Sequence, residues 1–288
     1  MAYRAVVFRA AGYGLANRLR ALAGYQALAR LLDLPFYLCW VCDPACQSRF
    51  EDLFATPLNL MNWPEVEQLG PEAVIFHEGI WFDEIWKRAG SNAFGWQQYL
   101  AEVHRCLREL VPRRELLQTV EDFSSRRRLA EALGIHIRHT DNLSVYSQWA
   151  AESSDFDSRR ISSLDGFLDV IRTHMSTMPV FLATDDNGLE GRLRKIFPDL
   201  VVFPKEYAPA GFRTTQIADA LSEMLLLGRC SRIVGTYYSS FSKFSAIWSG
   251  APYFEVVGCE HARSDFVDRM LAPATAVPGR PARPVEKL

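Results

Sequence analysis

The stretch YRAVVFRAAGYGLANRLRALAGYQALARLLDLPFYLCWVC, residues 3–42, decides the fold class. It begins with a segment rich in Val and Phe, reaches Gly12 and Gly14, and continues from Leu15 with apolar residues at helical spacing. Pro35 ends this helix, and PFYLCWVC has the composition of a second strand. Strand, glycine turn, helix and strand together predict a βαβ unit, and therefore a parallel sheet.

The alternation of strand and helix returns after Gly134. The predicted strands are GIHIRH, PVFLATDD, LVVFP, RIVGTY and PYFEVV, separated by the predicted helices LDGFLDVIRTHM, GLEGRLRKIF, QIADALSEMLLLGRC and SSFSKFSAIWSG. A charged helical segment, EDFSSRRRLAEAL, joins the two blocks. We therefore predict an α/β protein with two Rossmann-like domains facing a cleft, residues 1–132 and 133–272. The Pro- and Ala-rich residues 273–288 are predicted to form a disordered tail.

Composition limits the classes of partner. The 288 residues are 49% hydrophobic, which is enough for a substantial core, and 32 basic residues nearly balance 34 acidic ones. Nucleic acid and anionic membrane surfaces are therefore not expected partners. No apolar run approaches the ~20 residues that span a bilayer. Six cysteines without a secretory signal indicate reduced thiols and a cytoplasmic location.

The glycine turn has the composition of a ligand-binding loop. Gly12 and Gly14 let the backbone approach a ligand and lead into a helix N-terminus, which favours an anion. A dinucleotide fingerprint fails, because its third glycine falls at Asn17 and no acidic residue ends the next predicted strand, and no P-loop lysine follows. Arg18 and Arg20 oppose the helix dipole, so they either face solvent or have a negative group nearby. The cluster as a whole favours a binding site.

The strand GIHIRHTDN, residues 134–142, has an unusually polar end. Alternation places His136 and Arg138 on one face, and Arg138 and His139 reach the carboxyl end of the strand, where open α/β sheets bind ligands. The guanidinium fork of Arg138 suits a phosphate, and on a leaving phosphate it would stabilise the developing charge. The alternative is an ion pair of Arg138 with Asp141, with the histidines ending the strand. The density of anion-binding groups favours the functional interpretation.

Two other strand ends carry polar groups. Asp185 and Asp186 end PVFLATDD. Because adjacent side chains diverge, we expect a helix N-cap at Asp186 or Asn187 rather than a metal pair, with Asp185 open as a ligand contact. Ser239 and Ser240 open a helix after RIVGTY. They are either ordinary N-capping serines or part of a phosphate cradle.

Two further features bear on ligands and metals. Glu223 lies in an otherwise apolar helix and needs a partner if it is buried; a guanine edge, with its N–H donors, would provide one. The cysteines of CWVCDPAC have zinc-like spacing, but the sequence has no second pair of ligands. We therefore predict free thiols and no metal site.

The motifs GYGLANRLRAL, GIHIRHTDN, FLATDD and ALSEMLLLGRCSRIVGTYYSSFSKFSA resemble the fucosyltransferase superfamily in content and order. That superfamily contains the nodulation-factor fucosyltransferases, the α1,6-fucosyltransferases and the protein O-fucosyltransferases. The resemblance implies a GT-B fold, GDP-fucose as the donor substrate, inversion at the anomeric carbon, and neither a metal requirement nor a cofactor.

The resemblance also implies site residues. Arg138 resembles the essential arginine on the β-phosphate, and His136 resembles the donor-binding histidine of the HxR motif. Glu223 falls where the family usually has an aspartate near the guanine. The remaining donor-binding matches are Ser239 and Ser240 near the pyrophosphate, and Gly14 and Asn17 in the glycine-rich loop.

The resemblance supplies no general base, which an inverting transfer uses to activate or orient the acceptor hydroxyl. Glu78 and Asp83 in FHEGIWFDEIW are candidates, because Trp81 and Trp86 beside them could stack on a sugar; these aromatic residues could equally belong to the core. The expected acceptor is a glycan or small molecule. The alternatives are a transferase that uses another GDP-sugar and a non-catalytic glycan- or nucleotide-binding protein of the same fold.

Overall fold

The first of two sheets is built from the opening βαβ unit. In the computed structural model, β1 (Ala5–Ala10) lies between β2 (Phe36–Trp40) and β3 (Ala73–Phe76), and both neighbours run parallel to it. Val6, Phe8 and Ala10 point from one face of β1 into the main core. The structure describes residues 4–70, 73–139, 161–207 and 215–271.

Helices of the first half cover this sheet. The longest, α1, connects β1 to β2, and its almost wholly buried surface explains its lack of a polar stripe. An Asn62–Glu65 capping box starts the short helix α3. The helices are α1 (Leu15–Leu31), α2 (Phe50–Leu53), α3 (Trp63–Gln68), α4 (Phe82–Ile85) continuing into a π-helical turn (Trp86–Gly90), α5 (Trp96–Glu109) and α6 (Arg114–Arg127).

The second sheet has the order β6-β5-β4-β7-β8-β9. All neighbouring strands are parallel except the hairpin of β8 and β9. The strands are β4 (Leu133–Ile137), β5 (Val180–Thr184), β6 (Val201–Val202), β7 (Arg232–Thr236), β8 (Tyr253–Val257) and β9 (Glu260–Arg263). The helices are α7 (Leu164–Met175), α8 (Asn187–Ile196), α9 (Ile217–Leu227), α10 (Ser240–Ser249) and α11 (Asp265–Leu271), with a 3₁₀ turn at Leu129–Glu131.

The strand order places a topological switch point in each sheet. The chain leaves β4 toward β5 and β6 on one side, then crosses to β7 on the other. The first sheet does the same around β1. Connections diverge at such points and leave a crevice outside the carboxyl ends of the strands. The crevices therefore lie beyond β4 and β7 in the second sheet, and beyond β1 and β3 in the first.

The two halves of the chain share contacts across the predicted boundary at residues 132 and 133. Phe123 of α6 packs edge-on against Phe181 of β5 and against Phe203, which follows β6, with ring centroids 6.2 and 5.3 Å away. Helix α11 returns to the first half, where Phe266 contacts the ring of Trp81 at 4.8 Å. The domain boundary stays a prediction, and the predicted tail lies outside the described residues.

The predicted strands are confirmed, as are the helices between them. The short helices α3, α4 and α11 and the strand β9 were not predicted. All four residues of β9 are exposed, so the strand has no apolar alternation. Within the described ranges, we find no helix with both the length and the apolar character needed to cross a bilayer.

Candidate active site

The end of β4 is joined to the end of β7. His136 is buried and stacks on Phe241 of α10, with ring centroids 4.8 Å apart. The backbone N–H of Arg138 donates to Thr236 Oγ1 over 3.0 Å, and the Thr236 hydroxyl donates to the carbonyl of His136 over 3.2 Å. The half-buried Arg138 therefore lies at the switch point of the second sheet, as its sequence position predicted.

The two aspartates after β5 hold His139, the residue that follows Arg138. Asp185 Oδ1 accepts the backbone N–H of His139 over 2.9 Å, and Asp186 Oδ2 lies 2.5 Å from Nδ1 of the same histidine. The other oxygen of Asp186 accepts the N–H of Leu189 and caps α8, which confirms the predicted N-cap. Burial opposes ionisation of Asp186, but the Leu189 N–H and His139 together lower its pKa below the ordinary value. Asp141 lies outside the described residues.

The end of β7 leads into α10 at the same crevice. Ser239 is fully buried and caps this helix, accepting the N–H of Phe241 over 3.3 Å. Ser240 is the first residue of the helix and is half-buried. The first-turn N–H groups of α10 follow directly from the carboxyl end of β7, a placement that suits an anion. Contacts of both serines with a donor stay predictions.

Glu223 has a protein partner that the sequence did not indicate. It is buried within α9 and forms an ion pair with the ammonium group of Lys205. Lys205 follows β6 in sequence, and its side chain is almost completely enclosed. Lys205 also lies 3.3 Å from Glu190, whose carboxylate accepts the Tyr207 hydroxyl over 2.7 Å. Burial raises the pKa of Glu223 from 4.5 to about 7, although Lys205 opposes the rise. Guanine recognition by Glu223 stays a prediction, and any such contact would share the carboxylate with Lys205.

The substitution Glu223→Gln is expected to change how the free energy of unfolding depends on pH. The folded pKa of about 7 lies above the ordinary 4.5, so the wild-type protein loses stability from this group as pH rises between these values. As pH rises across this window, the free energy of unfolding of the variant should increase relative to that of the wild type by at most about 1.4 kcal/mol per pH unit. Above the window, the difference should stay constant. Glu190 remains as a partner for Lys205.

Urea unfolding of both proteins between pH 5 and 8 measures this difference. The matched control is Glu131→Gln, which changes an exposed surface carboxylate. A difference between Glu223→Gln and wild type that stays constant with pH would show that Glu223 does not titrate in this window.

The glycine turn of the first sheet is held by Arg18 and Asp43. Arg18 is fully buried and donates to the carbonyls of Tyr13 and Ala10, both over 2.7 Å, to that of Val41, and to Asp43 Oδ2 over 2.6 Å. The same carboxylate oxygen accepts the N–H of Gly12 over 2.7 Å. The negative group expected near Arg18 is therefore Asp43, and these contacts commit the guanidinium to the loop rather than to a ligand.

Gly14 and Asn17 lie where this loop enters α1. Gly14 is the N-cap of α1 without a side-chain cap, and no acidic residue lies in the first turn. Asn17 Oδ1 is buried, and no described group is within hydrogen-bonding range of it. A Cβ at Gly79, just beyond β3, would lie 3.3 Å from the Asn17 Cβ, so the ends of β1 and β3 meet here. Both residues thus lie at the switch point of the first sheet; donor binding by them stays a prediction.

Arg20 is the other arginine of the glycine segment. It is buried, donates to the Gly79 carbonyl over 2.6 Å and lies over the ring of Trp81 at 4.1 Å. Burial lowers the pKa of Arg20 to about 10, against the opposing effect of Glu84 and Asp83. Arg20 therefore fixes the segment that follows β3.

The candidate general bases lie on that segment. Glu78 is exposed, with Arg88 3.8 Å away, and Asp83 pairs with Lys87 over 3.1 Å. The adjacent tryptophans pack on protein groups: Trp81 on Arg20 and Phe266, and Trp86 edge-on to Trp96 at 5.6 Å. The packing interpretation of these rings therefore has direct support, and the base assignment stays a prediction.

In the part of the chain that the structure describes, no cluster of three or more His, Cys, Asp or Glu side chains could hold a metal ion. The six cysteines are free thiols. Metal independence of the reaction is a separate matter and stays a prediction.

Comparison with known proteins identifies the fold. No protein-family model and no curated protein sequence matches this chain. Among solved structures, it is similar to NodZ α1,6-fucosyltransferase co-crystallised with GDP, with 16% identity, a TM-score of 0.55, and coverage of 88% of this chain and 95% of that one. Fucosyltransferase NodZ from Bradyrhizobium has 17% identity and a TM-score of 0.55, with coverage of 91% of this chain and 99% of that one. POFUT1 in complex with GDP-fucose has 13% identity and a TM-score of 0.53, with coverage of 86% of this chain and 94% of that one.

These similarities confirm the predicted α/β fold of the GT-B type and its likeness to the fucosyltransferases. At such identities they establish the architecture, and the chemistry has to be argued from the site.

Proposed function

We propose that this protein is an inverting, metal-independent fucosyltransferase that moves fucose from GDP-fucose to a hydroxyl of a glycan or small-molecule acceptor. The observation that carries the proposal is Arg138, whose backbone is bonded to Thr236 at the switch point of the second sheet. An arginine in this crevice is suited to the β-phosphate of a nucleotide-sugar. The solved structures of similar fold include complexes with GDP and GDP-fucose.

Candidates for donor binding and for stabilisation of the leaving group are present in this chain. Arg138 would stabilise the charge that develops on the departing GDP. The start of α10, with Ser239 and Ser240, would bind the pyrophosphate. Glu223 would contact the guanine, and His136 would be a further donor contact. In addition, Gly14 and Asn17 would reach the donor from the first sheet, and Asp185 would contribute a polar contact. We place the reaction in the cytoplasm, where six free thiols stay reduced.

Guanine nucleotides are expected to raise the melting temperature of the protein, whereas UDP, ADP, NAD and S-adenosylmethionine are not. Binding to the folded state alone stabilises it by about 2.7 kcal/mol at a ligand concentration of 100 Kd, which corresponds to several degrees for a chain of this length. Thermal denaturation across a concentration series of each nucleotide measures the effect. No shift with GDP would refute the proposal.

GDP release from GDP-fucose then distinguishes the enzyme from a binding protein. In excess EDTA and without an acceptor, the protein should hydrolyse GDP-fucose. In a parallel assay, it should not hydrolyse GDP-mannose. Turnover with GDP-mannose instead would favour a transferase for another GDP-sugar. A GDP-induced shift without any turnover would favour the non-catalytic binding protein.

A further inference from the structure

Side chains continue the β-ladder beyond the end of β4. The backbone pairing of β4 with β7 ends at His136 and Gly235, and the pairing with β5 ends at Ile137 and Thr184. Arg138 and His139 come after these last pairs and yet have bonded backbone N–H groups. Hydroxyl and carboxylate groups replace the missing strand partners on both sides.

Thr236 provides the contact on the β7 side. Its side chain is fully buried, so the hydroxyl has a fixed environment. It accepts the N–H of Arg138 over 3.0 Å and donates to the carbonyl of His136 over 3.2 Å. One hydroxyl thus bridges the residues before and after Ile137 and sets the direction in which the backbone leaves the strand.

The two aspartates after β5 provide the contacts on the opposite side. Asp185 accepts the N–H of His139 over 2.9 Å, and Asp186 holds the imidazole at Nδ1 over 2.5 Å. Asp186 is itself fixed, because its second oxygen caps α8 through Leu189. The two flanks therefore anchor the backbone on either side of the Arg138 side chain to rigid elements.

We infer that Thr236 and Asp186 are positioning residues, which hold Arg138 in register with the departing phosphate through its own N–H and through His139. The inference rests on the proposed function, since it assigns these contacts to the transfer step. A clamp of this kind affects the rate more than donor binding, because a displaced guanidinium can still bind phosphate but meets the developing charge in the wrong place.

Thr236→Val tests the first contact and Thr236→Ser is its matched partner. Valine keeps the shape and removes the hydroxyl, whereas serine keeps the hydroxyl. We expect Thr236→Val to lower kcat by about 10- to 100-fold while the Kd for GDP changes by less than about threefold, and Thr236→Ser to recover most of the rate. Equal losses in both variants, or wild-type kcat in Thr236→Val, would overturn the inference.

Asp186→Asn tests the second flank without removing the helix cap, because asparagine is also a good N-cap. We expect kcat to fall with little change in melting temperature or in the Kd for GDP. Wild-type kcat in this variant would show that Asp186 only caps α8.

Thr173→Val is the control for Thr236→Val. It removes a hydroxyl that bonds within α7, away from the site, and so controls for the loss of a threonine hydroxyl as such.

Amide hydrogen exchange separates failure of the clamp from failure of the proposed function. The N–H of Arg138 should exchange faster in Thr236→Val than in the wild type or Thr236→Ser, whether or not the protein has transferase activity. Unchanged exchange would refute the clamp itself. Faster exchange in Thr236→Val, together with a wild-type protein that shows no turnover, would refute the proposed function and, with it, the assignment of the clamp to catalysis.

Discussion

Replacing Arg138 by alanine is expected to slow turnover of GDP-fucose by about 10²- to 10³-fold, equivalent to ~3 to 4 kcal/mol of transition-state stabilisation. The expectation follows from its location at the carboxyl end of β4, with its N–H held by Thr236. Arg138→Lys should recover only a small part of the rate, because lysine restores the charge but lacks the planar fork that binds two phosphate oxygens. Steady-state release of GDP measures the rates, and calorimetry measures GDP affinity.

Arg232 provides the matched control for this substitution. It begins β7, so it lies at the amino edge of the same sheet, opposite the crevice. Arg232→Lys should leave turnover unchanged. Wild-type turnover in Arg138→Ala would assign the leaving-group role to another residue, whereas wild-type turnover in Arg138→Lys would show that the charge suffices without the fork.

Alternating strands and helices made the second sheet predictable. Buried parallel strands such as β5 are apolar up to their last residue, Thr184, and helices such as α7 have one apolar face, so local pattern and tertiary environment agree. Once the strands are predicted, the carboxyl edge of the parallel sheet follows from strand direction alone. The positions of Arg138, Ser239 and Ser240 at that edge were therefore predictable. Strand β9 lacks this agreement, because its side chains are all exposed.

Contacts between distant segments could not be read from the sequence. Lys205 pairs with Glu223 across 18 positions, and Thr236 bonds to Arg138 across 98, whereas periodicity reports only neighbours on one element. Lys205 follows FP in a segment that looks like an ordinary surface turn, so nothing there indicates an enclosed ammonium. The absence of an acidic residue at the end of PFYLCWVC was also misleading, since Asp43, one position later, is the residue that Arg18 binds.

Replacing Arg18 by methionine is expected to lower the free energy of unfolding by about 3 to 5 kcal/mol, as found when one partner of a buried ion pair is removed. Methionine fills part of the space but leaves Asp43 without its cation and removes the side-chain donor of the Tyr13 and Val41 carbonyls; the Ala10 carbonyl keeps the N–H of Val41. Urea unfolding at pH 7 measures the loss. Arg30→Met removes exposed ion pairs with Glu102 and Glu109 and should cost about 1 kcal/mol or less.

The partner substitution Asp43→Asn shows whether the loss comes from the pair. Asparagine can still accept the N–H groups of Ala45 and Cys46 through Oδ1, but its NH2 group then replaces Oδ2, so the substitution removes both the charge and the acceptor that face Arg18 and Gly12. Burial opposes ionisation of Asp43, but the Gly12 N–H and Arg18 lower its pKa, so the carboxylate is charged at neutral pH. Once Arg18 is gone, removing that charge should cost less than it does in the wild type. Additive losses in Arg18→Met, Asp43→Asn and the double variant would contradict this coupling, and would mean that the glycine turn is held by the backbone contacts of Arg18 alone.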